Sequence, residues 1–121
     1  MEFSFDADRP IYIQLKERVK IKIVSGEYPP GSQIPTVREL AEQSSVNPNT
    51  MQKALSELER DGLLFAQRTS GRFVTEDAGL VENLKKELAG TEISRFLKVM
   101  ASIGIPPDEA AGLITATKEE E

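Results

Sequence analysis

Asn47, Asn49, Gln52 and Lys53 fall within two helical turns, and none is a strong acid, base or nucleophile. Asn and Gln can pair bidentately with adenine edges, and Lys reaches guanine acceptors or phosphates. The chemistry on offer is therefore hydrogen-bonded recognition of a nucleic-acid groove. The spacing around these residues predicts the element that carries them. Met51, Ala54, Leu55 and Leu58 recur at i, i+3, i+4 and i+7, one apolar stripe of a helix. At about 100° per residue, Asn49, Lys53, Ser56 and Arg60 point the opposite way, with Gln52 on the flank. Asn47 is a good N-cap, and Pro48 falls at the first helical position, where its missing N–H costs nothing. The plain alternative is that this polar face is only the solvated side of an amphipathic helix.

The rest of the composition removes other chemistries. The 121 residues contain no cysteine and no histidine. Disulfides and thiolates are excluded, and the usual general base and commonest metal ligand are missing. The acids are scattered along solvent faces, so no catalytic residue, metal ligand or cofactor is expected. No apolar run is long enough to span a bilayer and no leader for export is evident, so a cytoplasmic protein without membrane partners is expected. A net charge of −5 argues on its face against nucleic acid. Much of the acidity lies at the C-terminal end, however, including Glu119, Glu120 and Glu121. Binding should then rest on few phosphate contacts and on geometry.

The flanking elements follow from periodicity and caps. Residues 1–9 read as an extended arm with Phe3 and Phe5 as anchors. A first helix begins near Pro10 and ends before Gly26. Its main stripe is Ile11, Tyr12, Leu15, Val19 and Ile23. Ile13, Ile21 and Val24 form a second cluster, expected to meet the tail helix or a partner subunit. Residues 26–31 read as a turn-rich connector. Thr36 and Glu39 have the capping-box spacing, opening a short helix with Val37, Leu40 and Ala41 inward. After the Asn47 helix ends at Asp61-Gly62, two short apolar runs around the turn Arg68-Thr69-Ser70-Gly71 read as a β-hairpin. From Leu80 the pattern is helical again. Val81, Leu84, Leu88, Phe96, Val99, Met100 and Ile103 share one face, Ile93 and Leu97 flank it, and Gly90 is a point for a bend or break. Gly104 ends this helix, and Pro107-Asp108-Glu109 opens a last one with Ala110, Leu113 and Ile114 inward, fraying from Lys118. The expected fold is mainly α with a small β-hairpin: a winged helix-turn-helix over 10–77 and a short two-helix tail over 78–121. A helix of about 24 residues spans roughly 36 Å, longer than so small a domain needs. Its stripe, with Leu84, Leu88, Phe96, Met100 and Ile103, is expected to bury against a second copy.

The order and spacing of Pro10-Ile11-Tyr12-Ile13-Gln14-Leu15, Gly26-Glu27-Tyr28-Pro29-Pro30-Gly31, Ile34 to Ala41, Asn47 to Leu55, Leu58 to Leu63 and Gly71 to Val74 closely resemble the DNA-binding domain of the GntR family of bacterial transcription regulators. The form Val46-Asn47-Pro48-Asn49-Thr50, followed by only a short helical tail, is similar to the YtrA subfamily. The resemblance implies a homodimeric repressor on a palindromic double-stranded operator, often upstream of its own operon with transporter genes. It implies DNA contact by Arg38 from the second helix, by the start of the third helix in the major groove, and by a wing tip, Thr69, Ser70 and Gly71, in the minor groove. Many relatives carry arginine where this chain has Pro48 and Gln52, so base reading is expected to fall on Asn49, Gln52 and Lys53. The usual Gly-x-Gly-Thr wing is here Thr69-Ser70-Gly71-Arg72.

Arg38 is otherwise an exposed charge paired with Glu42 at i+4, whereas the motif around it favours phosphate contact. Asn47 is primarily a cap, and Thr36 joins the DNA-facing set from the capping box. Thr50 either contacts phosphate or completes the first turn. Arg68 and Arg72 are either edge-strand solubilisers or minor-groove or phosphate contacts, since a narrow A·T groove attracts arginine. Any small-molecule effector is unidentified, and its pocket is expected between winged domain and tail or at the dimer interface. The alternative function is a winged helix serving as a protein-interaction module without DNA binding.

Overall fold

The computed structural model describes residues 5–68 and 70–120, apart from the side chains of Glu119 and Glu120. Its elements run α1 (Ile11–Val24), α2 (Val37–Ser44), α3 (Pro48–Arg60), β1 (Leu64–Gln67), β2 (Gly71–Val74), α4 (Ala78–Ser102) and α5 (Pro107–Glu120). The mainly helical architecture with one antiparallel hairpin is the expected one. Phe3, Thr69 and Glu121 lie outside the described residues. The chain divides into two compact units, one ending at Leu84 and one running from Lys85 to Glu121.

In the first unit α3 is central, packing against α1, α2 and β1. Its apolar stripe is sealed: Met51 is 1% exposed and Ala54, Leu55 and Leu58 are 0%. Leu15, Val19 and Ile23 of α1 and Leu40 and Ala41 of α2 complete that core. Ile11 departs from its expected stripe and is 44% exposed, because it opens α1 and has no preceding turn beside it. Ile21 is also exposed, while Ile13 and Val24 are half-buried.

Local chemistry sets the ends of these helices. Thr36 closes the predicted capping box, its hydroxyl accepting from Glu39 N–H while the Glu39 carboxylate accepts from Thr36 N–H. Asn47 caps α3 through Asn49 N–H at 2.7 Å. At the far end of α3, Leu63 N–H donates to Leu58 carbonyl and Gly62 N–H to Glu59 carbonyl, both at 3.0 Å. This closing pattern needs a left-handed residue, and Gly62 supplies it at φ +83° without a Cβ penalty. Between α2 and α3 the same left-handed position is held by Ser45 at φ 54°. A non-glycine there costs about 1–2 kcal/mol, so the helix–turn–helix corner is maintained against local strain.

The hairpin pairs Leu64 with Val74, Phe65 with Phe73, Ala66 with Arg72 and Gln67 with Gly71. The connector expected over 26–31 leads into residues 31–34, which lie along β2. Gly31 N–H donates to Val74 carbonyl, Val74 N–H to Ser32 carbonyl and Ile34 N–H to Arg72 carbonyl. Residues 31–34 thus act as a third edge of the wing. A two-proline turn and a short, non-alternating run gave no strand pattern to detect.

The arm is fastened by a polar residue. Gln14 is 3% exposed, and its amide accepts from Asp6 N–H and donates to the carbonyls of Asp6 and Arg9. All of its burial is thereby compensated by hydrogen bonds. The Arg18 guanidinium lies 4.8 Å from the Phe5 ring centre.

In the second unit, α4 runs unbroken through Gly90, and α5 continues past Lys118, where a basic side chain near the C-terminus suits the helix dipole. Ala110 is fully buried, but Ile93, Val99, Ile103, Leu113 and Ile114 are 45–65% exposed.

α1 and α3 are also joined electrostatically. The half-buried Lys16 ammonium donates to Glu57 Oε1 at 2.9 Å and lies 3.7 Å from Asp61. Hydrogen bonding to Lys16 holds the Glu57 carboxyl below its ordinary range, and hydrogen bonding to Glu57 raises Lys16. Hydrogen bonds from the Thr36 backbone and hydroxyl likewise lower Glu39. For the two lowered carboxyls, stability is fully present above about pH 4.3 and is lost as pH falls through the folded values. For Lys16 it is present below about pH 10.4 and is lost as pH rises through the raised value. The destabilisation caused by Glu57→Gln, measured by urea unfolding, should therefore be largest near neutrality and shrink below pH 4. A deficit that stays constant to pH 2.5 would contradict the ion pair.

Candidate nucleic-acid interface

Sealing one face of α3 leaves the other to solvent. Asn49, Gln52, Lys53 and Arg60 are exposed, and Ser56 is half-buried. The side-chain carboxamide of Asn49 makes no hydrogen bond among the described residues. Gln52 Nε2 donates to Ser56 Oγ at 3.1 Å, which orients its amide along the helix. The Lys53 ammonium lies 3.8 Å from the centre of the Tyr12 ring on α1. Thr50 is half-buried and its N–H donates to Asn47 carbonyl, so it completes the first turn. Asn47 is exposed with its side-chain oxygen engaged as the cap.

Thr36 and Arg38 at the start of α2 border an open cleft shared with Ser70, Gly71 and Gln33. Arg38 is exposed and forms no ion pair with Glu42 among the described residues. The N-terminus of α2 and the wing tip are thus neighbours across this cleft, although more than thirty residues separate them in sequence.

The wing is braced from both sides. Gln33 Nε2 donates to the Ser70 carbonyl, and the Gln33 backbone forms a bridge with Phe73. Gly71 sits at φ +100° with the Gln33 amide 3.0 Å from where a Cβ would stand. Glycine is favoured there by the backbone, and an added Cβ would also press on the Gln33 amide. On the opposite side Arg72 pairs with Glu59 of α3 and is only 17% exposed. Arg72 thus turns back to the helix, whereas Arg68 is exposed. Phe65 and Phe73 stack with centres 5.6 Å apart on the outer sheet face.

These pairings redistribute charge. Glu57 is occupied by Lys16 and Glu59 by Arg72, and Glu39 is tied into its cap. Arg38, Arg60 and Arg68 are exposed and form no ion pair among the described residues, so an acidic chain presents cations along this surface. Sequence reasoning did not select Tyr12 or Gln33. Each acts on a segment distant in sequence, and no local period signals that. Arg60 carried a signal, since it shares the helical face of Asn49 and Lys53. Among the described residues no group of Asp, Glu, His or Cys could hold a metal ion, and no helix is long and apolar enough to cross a membrane.

Residues 11–74 match the model of the family described as bacterial regulatory proteins, gntR family. The chain is 38% identical over 109 residues to YhcF, an uncharacterized HTH-type transcriptional regulator of Bacillus subtilis, covering 90% of each. It is 42% identical over 69 residues to the HTH-type transcriptional repressor YtrA of the same organism, covering 57% of this chain and 53% of that one. Among solved structures, a GntR family transcriptional regulator from Listeria monocytogenes superposes with a TM-score of 0.83 at 33% identity, covering 93% and 98% of the two chains. The DNA-binding domain of AraR in complex with operator ORX1 superposes with a TM-score of 0.58 at 34% identity, covering 62% and 96%.

If the Arg72–Glu59 pair stiffens the wing, Glu59→Ala should speed amide hydrogen exchange across Gly71–Val74 several-fold while α1 amides keep their protection. Unchanged exchange in β2 would show that the pair carries no restraint.

Proposed function

Because the chain belongs to the GntR family of bacterial regulatory proteins, we propose that it is a homodimeric transcriptional repressor of the YtrA type, acting on a palindromic operator near its own operon. As a family member it is a DNA-binding transcriptional regulator, and that family's work is regulation rather than catalysis. The observation that carries the finer reading is the two-faced character of α3. Its apolar side is fully sealed in the core, and its polar side is open and capped at the end that leads into the groove.

In this reading Asn49, Gln52 and Lys53 contact base edges. Arg38 contacts phosphate, and Thr36, Asn47 and Thr50 line the backbone path while holding the helix starts. The wing, with Arg68, Thr69, Ser70 and Gly71, enters the minor groove, and Arg72 stiffens it through Glu59. The winged domain is taken as 10–77 and the tail as 78–121. The alignment to YhcF along almost its full length supports an architecture with a short tail, and the match to YtrA supports the subfamily. Solved complexes of AraR with operator DNA support duplex DNA as the partner. A cytoplasmic location is part of the same proposal.

The tail is assigned to dimerisation. Of the residues expected to form that face, Leu84 is buried, Leu88, Phe96 and Met100 are half-buried, and Ile103 is 65% exposed. Ile93, Val99, Leu113 and Ile114 add exposed apolar surface that water solvates poorly. Burying it against a second copy would fix two recognition helices about 34–36 Å apart, or a multiple of one turn.

Selection of bound duplexes from random DNA should return two inverted half-sites spaced by whole helical turns, with affinity falling log–log as salt rises. An asymmetric single site, or binding without a salt slope, would count against the reading. In sedimentation, Val99→Glu with Ile103→Glu should shift the chain toward monomer at micromolar concentration, and an unaltered dimer would remove the tail from the interface.

A further inference from the structure

Lysine is an awkward reader of sequence. Its ammonium is a point charge on a flexible four-carbon stem, and any nearby phosphate satisfies it. A lysine on a recognition helix discriminates bases only if something limits where its charge can go. On α3 the natural restraint would be Glu57, the acid one turn further along the same side. That carboxylate accepts its hydrogen bond from Lys16 of α1 at 2.9 Å and acts on Lys53 only through space. Lys53 instead lies over Tyr12, with Nζ 3.8 Å from the ring centre.

The two contacts form a matched ladder. Tyr12 and Lys16 are four residues apart on α1, and Lys53 and Glu57 are four residues apart on α3. Each rung joins one residue of α1 to one of α3. The upper rung differs chemically from the lower. A carboxylate partner would orient the lysine but cancel its charge. An aromatic face orients the cation through its quadrupole and leaves the charge intact for an external acceptor.

We propose that Tyr12 is a positioning residue for DNA recognition: its ring holds the Lys53 ammonium on the α1 side of the reading face, so that Lys53 contributes base discrimination rather than sequence-neutral phosphate contact. The inference rests on the reading of α3 as the groove-entering helix. Gln52 is oriented separately by Ser56, so the two longer readers on this face are held by different devices.

The test uses the full chain and a duplex obtained by selection, against a scrambled duplex at the same salt. The readout is the ratio of the two affinities. Tyr12→Phe keeps the ring and should keep the wild-type ratio. Tyr12→Leu should lower the ratio roughly two- to five-fold, the size of an exposed cation–π contact. Placed in a Lys53→Ala background, Tyr12→Leu should cause no further loss. In the free protein, the Lys53 Hε resonances should be shifted upfield by the ring in wild type and Tyr12→Phe, and not in Tyr12→Leu. Tyr12→Met, with an adaptable unbranched side chain, carries the same expectations if Tyr12→Leu folds poorly. An undiminished ratio in Tyr12→Leu, an equal loss with and without Lys53, or a Tyr12→Phe variant as impaired as Tyr12→Leu would overturn the proposal. A wild-type chain with no preference among duplexes would overturn the functional reading and this proposal together. The ring shift in the free protein identifies that case, because the contact would persist without selectivity.

Discussion

One apolar stripe, Met51-Ala54-Leu55-Leu58, organises the winged unit. Three neighbours, α1, α2 and β1, all bury against it, and its side chains retain at most 1% of their surface. A helix packed this tightly cannot rotate about its axis without opening the core, since interiors tolerate little change in packing. Fixing the buried side therefore fixes the exposed side. The polar residues at 49, 52, 53, 56 and 60 share one side of the helix because the stripe behind them is fixed, and contacts such as Gln52–Ser56 and Lys53–Tyr12 then orient individual side chains.

Around that axis the charged residues are sorted rather than evenly spread. Acids on the two flanks of α3 are consumed in bridges: Glu57 toward α1 and Glu59 toward the wing. Each bridge neutralises a carboxylate that would repel phosphate, and each ties a neighbouring element to α3. Among the exposed cations outside these bridges are Arg38, Lys53, Arg60 and Arg68. Net charge accordingly says little about what this surface attracts, because the field near a patch is set by local charges within about a Debye length. The wing shows the same economy. Its edge strand, Gly71 and Arg72 each touch a neighbouring segment.

Much of this was legible in the chain. The capping box at Thr36–Glu39, the Asn47 cap with Pro48, the Gly62 stop and the 3.6-residue stripes are all written in residues within about two turns of one another. The hairpin was legible from its apolar runs and turn. The third edge of the wing over 31–34 was not, because it is a strand only by virtue of lying beside β2. Ile11 shows a converse limit: periodicity assigned it inward, and its place at the first position of α1 left it exposed.

The sequence by itself determined which segments are helical, the caps of α2 and α3, and which face of each is apolar, since those properties follow from spacing and capping along a local stretch; α4 starts at Ala78 rather than Leu80. The tertiary structure alone decided who partners whom across that frame. Lys16 meets Glu57 across 41 positions, Gln33 meets Ser70 across 37, and Arg72 turns to Glu59 across 13. No periodic rule relates residues so far apart, because their proximity depends on how the elements dock. The opening helix shows both sides of this division. Its cap, stripe and polar face could be read from residues 47–60, while the aromatic ring beside Lys53 comes from another helix.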